Sequence, residues 1–125
     1  MNEFKIINNY FKTLTKKNSA AKKLNDDVFF DKKSGIVISV DTYNSNVHFI
    51  GFKYPEFIIK KIIRSSLSDL LSKGVTPKYY FLSGGGNKNT FTKISLSKIL
   101  KSLKEEQKKY SIKIGGGDTV YSKIP

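Results

Sequence analysis

Hydrophobic positions change their spacing several times along this 125-residue chain, and each change marks an element. Phe4, Ile6, Ile7, Tyr10 and Phe11 recur at the period of one helical face, so the spacing predicts an amphipathic N-terminal helix. The polar, lysine-rich stretch 13–25 lacks any period and reads as a loop. Val28-Phe29-Phe30 then reads as a short strand, and Asp31-Lys-Lys-Ser-Gly35 has turn chemistry. Ile36 to Val40, β-branched except for Ser39, predicts a buried strand ending at Asp41. Residues 42–54 read as a loop. Pro55 suits the first turn of a helix, and Ile58, Ile59, Ile62, Ile63, Leu67, Leu70 and Leu71 give it one apolar face as far as Gly74.

Lys78 to Ser83 predicts another strand, with a mobile or hairpin-like loop over Gly84, Gly85 and Gly86. Leu96, Ile99, Leu100 and Leu103 mark a further helix, whose wet end carries Glu105, Glu106, Lys108 and Lys109. Ser111 to Ile114 predicts a last strand running into a glycine turn, Gly115-Gly116-Gly117, and then Asp118. This order predicts a two-layer α/β (α+β) domain, a mixed sheet with helices on one face. Residues 1–125 read as one domain. Because they stop soon after the glycine turn with no capping element, the chain is expected to be cut before a final strand.

Composition narrows the classes. Hydrophobic residues make up 38% and charged residues 26%, enough for a core, and no apolar run approaches the roughly 20 residues of a membrane span. Cysteine is absent, which excludes disulfides and thiolate metal sites and fits a cytoplasmic setting. The opening residues lack the apolar stretch of a signal peptide. A net charge of +13 raises a lysine-rich nucleic-acid-binding module as the alternative reading. However, all but one of the 23 basic residues are lysine, and base and phosphate recognition favours the guanidinium fork. A solvated lysine surface accounts better for the charge.

Against that background the aspartates stand out. Asp26 and Asp27 precede a strand, Asp41 closes one, Asp69 lies in a helical pattern and Asp118 follows three glycines. Carboxylates so placed suit Mg²⁺, which takes oxygen ligands and bridges them to substrate phosphates. Strand ends are where α/β sheets gather ligands, which favours Asp41. Glycines let a backbone approach phosphate closely, which favours Asp118, although no Gly-Lys-Ser/Thr follows to make a Walker loop. Ser65 and Ser66 lie one helical turn before Asp69, on its side of the helix. The single histidine, His48, reads on its own as a surface residue. It cannot make a typical zinc site, and no Ser/His/Asp triad is available.

In order along the chain, these segments resemble the thiamine-monophosphate kinase family of the aminoimidazole ribonucleotide synthetase superfamily. Glu3-Phe4 with Tyr10-Phe11 is similar to the family's opening helix, and Asp26-Asp27 to its Gly-Asp-Asp turn. Ser39-Val40-Asp41-Thr42 with His48-Phe49 resembles Thr-Asp-Thr…Asn-His-Phe. Leu67-Ser68-Asp69-Leu70 with Gly74 and Pro77 resembles Asn-Leu-Ser-Asp-Leu…Gly-Ala…Pro, and Gly116-Gly117-Asp118-Thr119 matches Gly-Gly-Asp-Thr. Asn25 stands where the family has glycine, Val47 replaces the Asn before His48, and Ser65-Ser66 replaces a small residue followed by Asn. Val40 replaces a hydroxyl residue, leaving only its carbonyl as a ligand.

The resemblance implies ATP-dependent phosphorylation of thiamine monophosphate to thiamine diphosphate by direct, Mg²⁺-assisted transfer, with no covalent nucleophile. It implies Asp27, Ser39, Val40, Asp41, Asp69 and Asp118 as ligands of several Mg²⁺ ions, with Asp26 and Thr42 in secondary roles. Gly117 and Asp118 would touch ATP, and His48 would touch the acceptor phosphate. It further implies a homodimer formed through the sheet. A C-terminal domain, outside these residues, would supply further contacts, so this chain alone is expected to be inactive. Sister Mg-ATP enzymes of the superfamily are the nearest alternative.

Overall fold

The computed structural model describes residues 1–124. Helix α1 (Glu3–Ile6) opens at Asn2, whose side chain accepts from the Lys5 amide at 3.0 Å, the usual role of Asn at an N-cap. It continues through a π-helical turn, Ile7–Phe11, and a 3-10 turn, Lys12–Thr15. The predicted N-terminal helix is therefore present, but its apolar face is open: Phe4, Tyr10 and Phe11 are exposed. The stretch expected to be a loop holds a second 3-10 segment, Ser19–Leu24, kinked where Lys22 and Lys23 take left-handed conformations.

Strands β1 (Phe29–Asp31) and β2 (Ile36–Ile38) form an antiparallel hairpin, pairing Phe29 with Ile38 and Asp31 with Ile36. Gly35 closes its turn at φ +74°, and the Asp31 carboxylate accepts from the Lys33 amide and the Ser34 hydroxyl. Two sequence expectations fail here. β2 ends at Ile38, so Asp41 lies three residues beyond the strand, and the strand is not buried, with Ile36 and Ile38 about half exposed. A ribbon two strands wide offers little surface to cover, and its neighbour is the 3-10 segment beside β1.

The core lies between α2 (Pro55–Leu71) and α3 (Lys93–Tyr110). Ile59, Ile63 and Leu67 repeat at intervals of four and bury one stripe of α2 against Ile112, flanked by Tyr80, Ile99, Leu103 and Tyr110. Full burial of each such side chain contributes about 1.5–3 kcal/mol. Thr92 caps α3, accepting from the Ser95 amide at 3.1 Å. Two of the three polar ties between the helices end on a buried group of α3. The buried Ser102 hydroxyl donates to the Glu56 carbonyl at 2.9 Å, and Arg64 donates through Nε and Nη2 to both oxygens of Glu106, each at 3.0 Å. Glu106 is only 1% exposed, which corrects its assignment to the wet end of the helix; its neighbour Glu105 is at the surface, paired with Lys60 at 2.9 Å.

β3 (Tyr79–Gly86) and β4 (Lys113–Tyr121) run parallel. The four strands thus mix directions as expected but form two separate two-stranded sheets. The larger correction concerns glycine. Gly84–Gly86 are not a loop but pair with Thr119–Tyr121, and Gly115–Gly117 are not a turn but lie within β4, with Gly115 the extra residue of a bulge. A Cβ on Gly117 would collide with the Leu82 carbonyl, and one on Gly115 would stand 2.9 Å from the Phe81 ring. Glycine is needed in β4 so that the neighbouring strand can approach. Tyr80 faces the helices while Tyr79 and Phe81 are exposed on the other face, at 68% and 75%. No helix among the described residues is long and apolar enough to cross a membrane.

Candidate functional site around the end of the second helix

Asp69 sits in the last turn of α2, two residues before its end. A carboxylate there opposes the helix dipole, at a cost of about 0.3–1 kcal/mol. Its Oδ2 accepts from the Ser39 hydroxyl at 3.2 Å, so the chain folds two segments 30 residues apart onto one point. Ser39 is its side-chain partner in place of Ser65 and Ser66, the residues one turn earlier; the Ser65 carbonyl instead accepts from the Ser68 hydroxyl. The helix then stops in a glycine cap. Gly74, at φ +73°, donates to the Leu71 carbonyl, and Val75 donates to the Leu70 carbonyl.

The paired aspartates divide. Asp26 is held by Lys73, whose Nζ lies 3.1 Å from Oδ1 and 3.4 Å from Oδ2, and it also accepts from the Val28 amide at 3.2 Å. The hydrogen bond from Lys73 is the chief cause that holds its carboxyl below the usual range; Lys22, 4.0 Å away, adds to it. Asp27 is exposed, and both aspartates line a cleft of about 250 Å³ against Glu3, Phe4, Ile7 and Asn8 of the N-terminal helix. A second hollow of about 210 Å³ runs from the same two aspartates to Ile38 and Val40.

Val40, Asp41 and Thr42 are exposed in irregular backbone after β2. Asp118 lies within β4 opposite Ser83, its Oδ1 accepting from the Thr119 amide at 2.9 Å. His48 is more ordered than a surface loop residue need be. Its Nδ1 accepts from the Asn44 amide at 2.9 Å, its ring meets Tyr43 edge-on at 5.4 Å, and its carbonyl accepts from Lys61 at 2.6 Å. With Nδ1 engaged as an acceptor, Nε2 is the nitrogen left to donate.

The structure therefore joins Ser39 to Asp69 and brings the Asp26-Asp27 turn to Lys73, four residues further on. It shows no hydrogen bond from these to Asp41, Asp118 or His48. Among the described residues, no three His, Asp or Glu side chains stand close enough together to hold an ion. The donors are hard oxygens, right in kind for Mg²⁺ and incomplete in number, and Mg²⁺ commonly completes its shell with water and phosphate. Sequence reasoning missed Lys73 and the Arg64–Glu106 pair. A lysine just before a helix-ending glycine carries no local signal of a distant partner.

The AIR synthase related protein, N-terminal domain, family matches residues 24–125. Curated relatives named thiamine-monophosphate kinase include those of Buchnera aphidicola, 34% identical over 94% of this chain, and Caulobacter vibrioides, 30% identical over 98%. The chain spans 37% and 36% of their lengths, well under half. A crystal structure of thiamine monophosphate kinase from Aquifex aeolicus superposes with a TM-score of 0.76 at 22% identity, covering 98% of this chain and 40% of that one, a likeness of fold. With four-fifths of its residues inside the match, the chain belongs to the family of AIR synthase related proteins, as their N-terminal domain.

Proposed function

We propose that residues 1–125 form the ATP- and Mg²⁺-binding N-terminal domain of a cytoplasmic thiamine-phosphate kinase. This enzyme would transfer the γ-phosphoryl group of ATP to the phosphate of thiamine monophosphate, giving thiamine diphosphate. The observation that carries the reading is the Ser39–Asp69 hydrogen bond, which unites two of the motif segments that resemble the family. The names of relatives at 30–34% identity support it.

Both substrates are polyanions, so catalysis here is a matter of neutralising repulsion and holding an in-line geometry. Asp27, Ser39, Asp41, Asp69 and Asp118, with the Val40 carbonyl, would hold Mg²⁺, and Asp26 and Thr42 would support them. Bound Mg²⁺ would supply positive charge to the phosphate oxygens. Gly117 and Asp118 would meet ATP along β4, and the Nε2 of His48 would donate to the acceptor phosphate. Tyr79 and Phe81, exposed on the sheet, would be covered by a second copy in a homodimer. Phosphoryl transfer would also need the part of the protein that corresponds to the rest of the relatives' length, so these residues alone would be inactive.

The test is transfer of γ-labelled phosphate from ATP by the full-length protein, with thiamine monophosphate as acceptor and Mg²⁺ present. Labelled thiamine diphosphate is expected. Failure to form it, together with duplex DNA binding that weakens steeply with salt, would overturn the reading in favour of the nucleic-acid module.

A further inference from the structure

Three side-chain hydrogen bonds among the described residues run from residues 1–54 to residues 55–124: Ser39 to Asp69, Lys61 to the His48 carbonyl, and Lys73 to Asp26. The first two involve residues already assigned a role. The third joins Asp26, which has a supporting role, to Lys73, which has none and belongs to none of the motifs. It follows α2 immediately before Gly74, whose left-handed conformation turns the chain away from the helix axis. A cation at this end of α2 is favoured by the helix dipole, whereas Asp69 is not, so Lys73 also offsets the charge that Asp69 places there.

Asp26 uses its two oxygens on Lys73 and on the amide of Val28, a buried residue that anchors the start of β1. A carboxylate already claimed by an ammonium group and an amide is a poor ligand for a further cation. Its neighbour Asp27 shares the wall of the 250 Å³ cleft with it, and among the described residues no hydrogen bond or ion pair engages the Asp27 carboxylate.

We infer that Lys73 is a positioning residue: its ammonium group holds Asp26 and so fixes the Asp26-Asp27 turn against the end of α2, leaving Asp27 as the member of the pair that faces a bound cation. The inference rests on the proposed kinase reading for what Asp27 does, but not for what Lys73 does to the turn.

Deuterium uptake in metal-free full-length protein tests the turn directly. Lys73→Met is expected to speed exchange in residues 24–31 by about fivefold, the scale of one partly exposed ion pair. Lys73→Arg should restore slow exchange. Asp26→Asn should match Lys73→Met, and the double variant should be no faster than either. In Mg²⁺ titrations of turnover, Lys73→Met should raise the half-saturating Mg²⁺ concentration by a similar factor, with the KM for thiamine monophosphate unchanged. Unchanged exchange in Lys73→Met, or additive effects in the double variant, would overturn the anchor. An exchange difference as described in a protein that never phosphorylates thiamine monophosphate would uphold the anchor and overturn only the kinase reading.

Discussion

Asp69 places a negative charge among the outward-pointing carbonyls of a helix end, an arrangement that a bound cation relieves. Asp69→Asn in the full-length protein should therefore lower Mg²⁺-dependent turnover by at least about a hundredfold, the scale of losing a metal contact. Asp31→Asn is the control: it keeps an acceptor oxygen for the Lys33 amide at the hairpin turn and should leave turnover unchanged. Equal losses in the two variants by steady-state kinetics would remove Asp69 from the site. The role proposed for His48 is separate. His48→Ala should raise the KM for thiamine monophosphate roughly tenfold, the worth of one hydrogen bond to a charged group, and leave ATP binding by calorimetry nearly intact. The meeting of Ser39 with Asp69 agrees with the motif order along the chain, whereas Asp41, Asp118 and His48 are not hydrogen-bonded to that pair. Gly115–Gly117 were misread because glycine usually punctuates structure; here the reason for glycine is the Leu82 backbone and the Phe81 ring on another strand, which no local pattern reveals.

Elements were legible where an apolar stripe was long. α2 and α3 lie where the periodicity put them, whereas Glu106 was placed in water because a charged residue is seldom fully buried without a partner, and its partner Arg64 lies 42 positions away. Helix α3 ends at Ser111, held at φ +54° with its amide donating to the Gln107 carbonyl. Glycine takes that conformation without the side-chain penalty, so Ser111→Gly should stabilise the protein by about 1 kcal/mol, read as a higher urea midpoint. Asp26 and Glu105 are both held below the usual carboxyl range, chiefly by hydrogen bonds from Lys73 and Lys60. Their contribution is complete above the unfolded carboxyl pKa of about 4 and is lost as pH falls through their lowered folded values. Urea midpoints should accordingly be lower at pH 3 than at pH 6. Equal midpoints would deny these pairs any part in joining the hairpin and α3 to α2.

For the molecule as a whole, the sheet of β3 and β4 presents Tyr79, Phe81, Val120 and Tyr121 to solvent, all more than half exposed. Exposed aromatic residues beside a parallel ladder invite cover, since parallel strands are ordinarily buried on both faces. Light scattering should find the full-length protein as a dimer and Phe81→Asp as a monomer with its circular dichroism unchanged. A monomer before substitution would end the interface argument. No pattern along the chain announced the division into two small sheets, because strand partners are chosen in three dimensions.

Three polar ties fasten α2 to α3: Ser102 to the Glu56 carbonyl near one end, then Lys60 to Glu105, and Arg64 to Glu106 further along. One tie would act as a pivot, but three spaced along the helices make a strut that resists both sliding and twisting. Residues 1–54, by contrast, meet this strut through the exposed or part-buried polar contacts of Ser39, Asp26 and His48, so any rearrangement of the molecule is cheaper there than between the two helices.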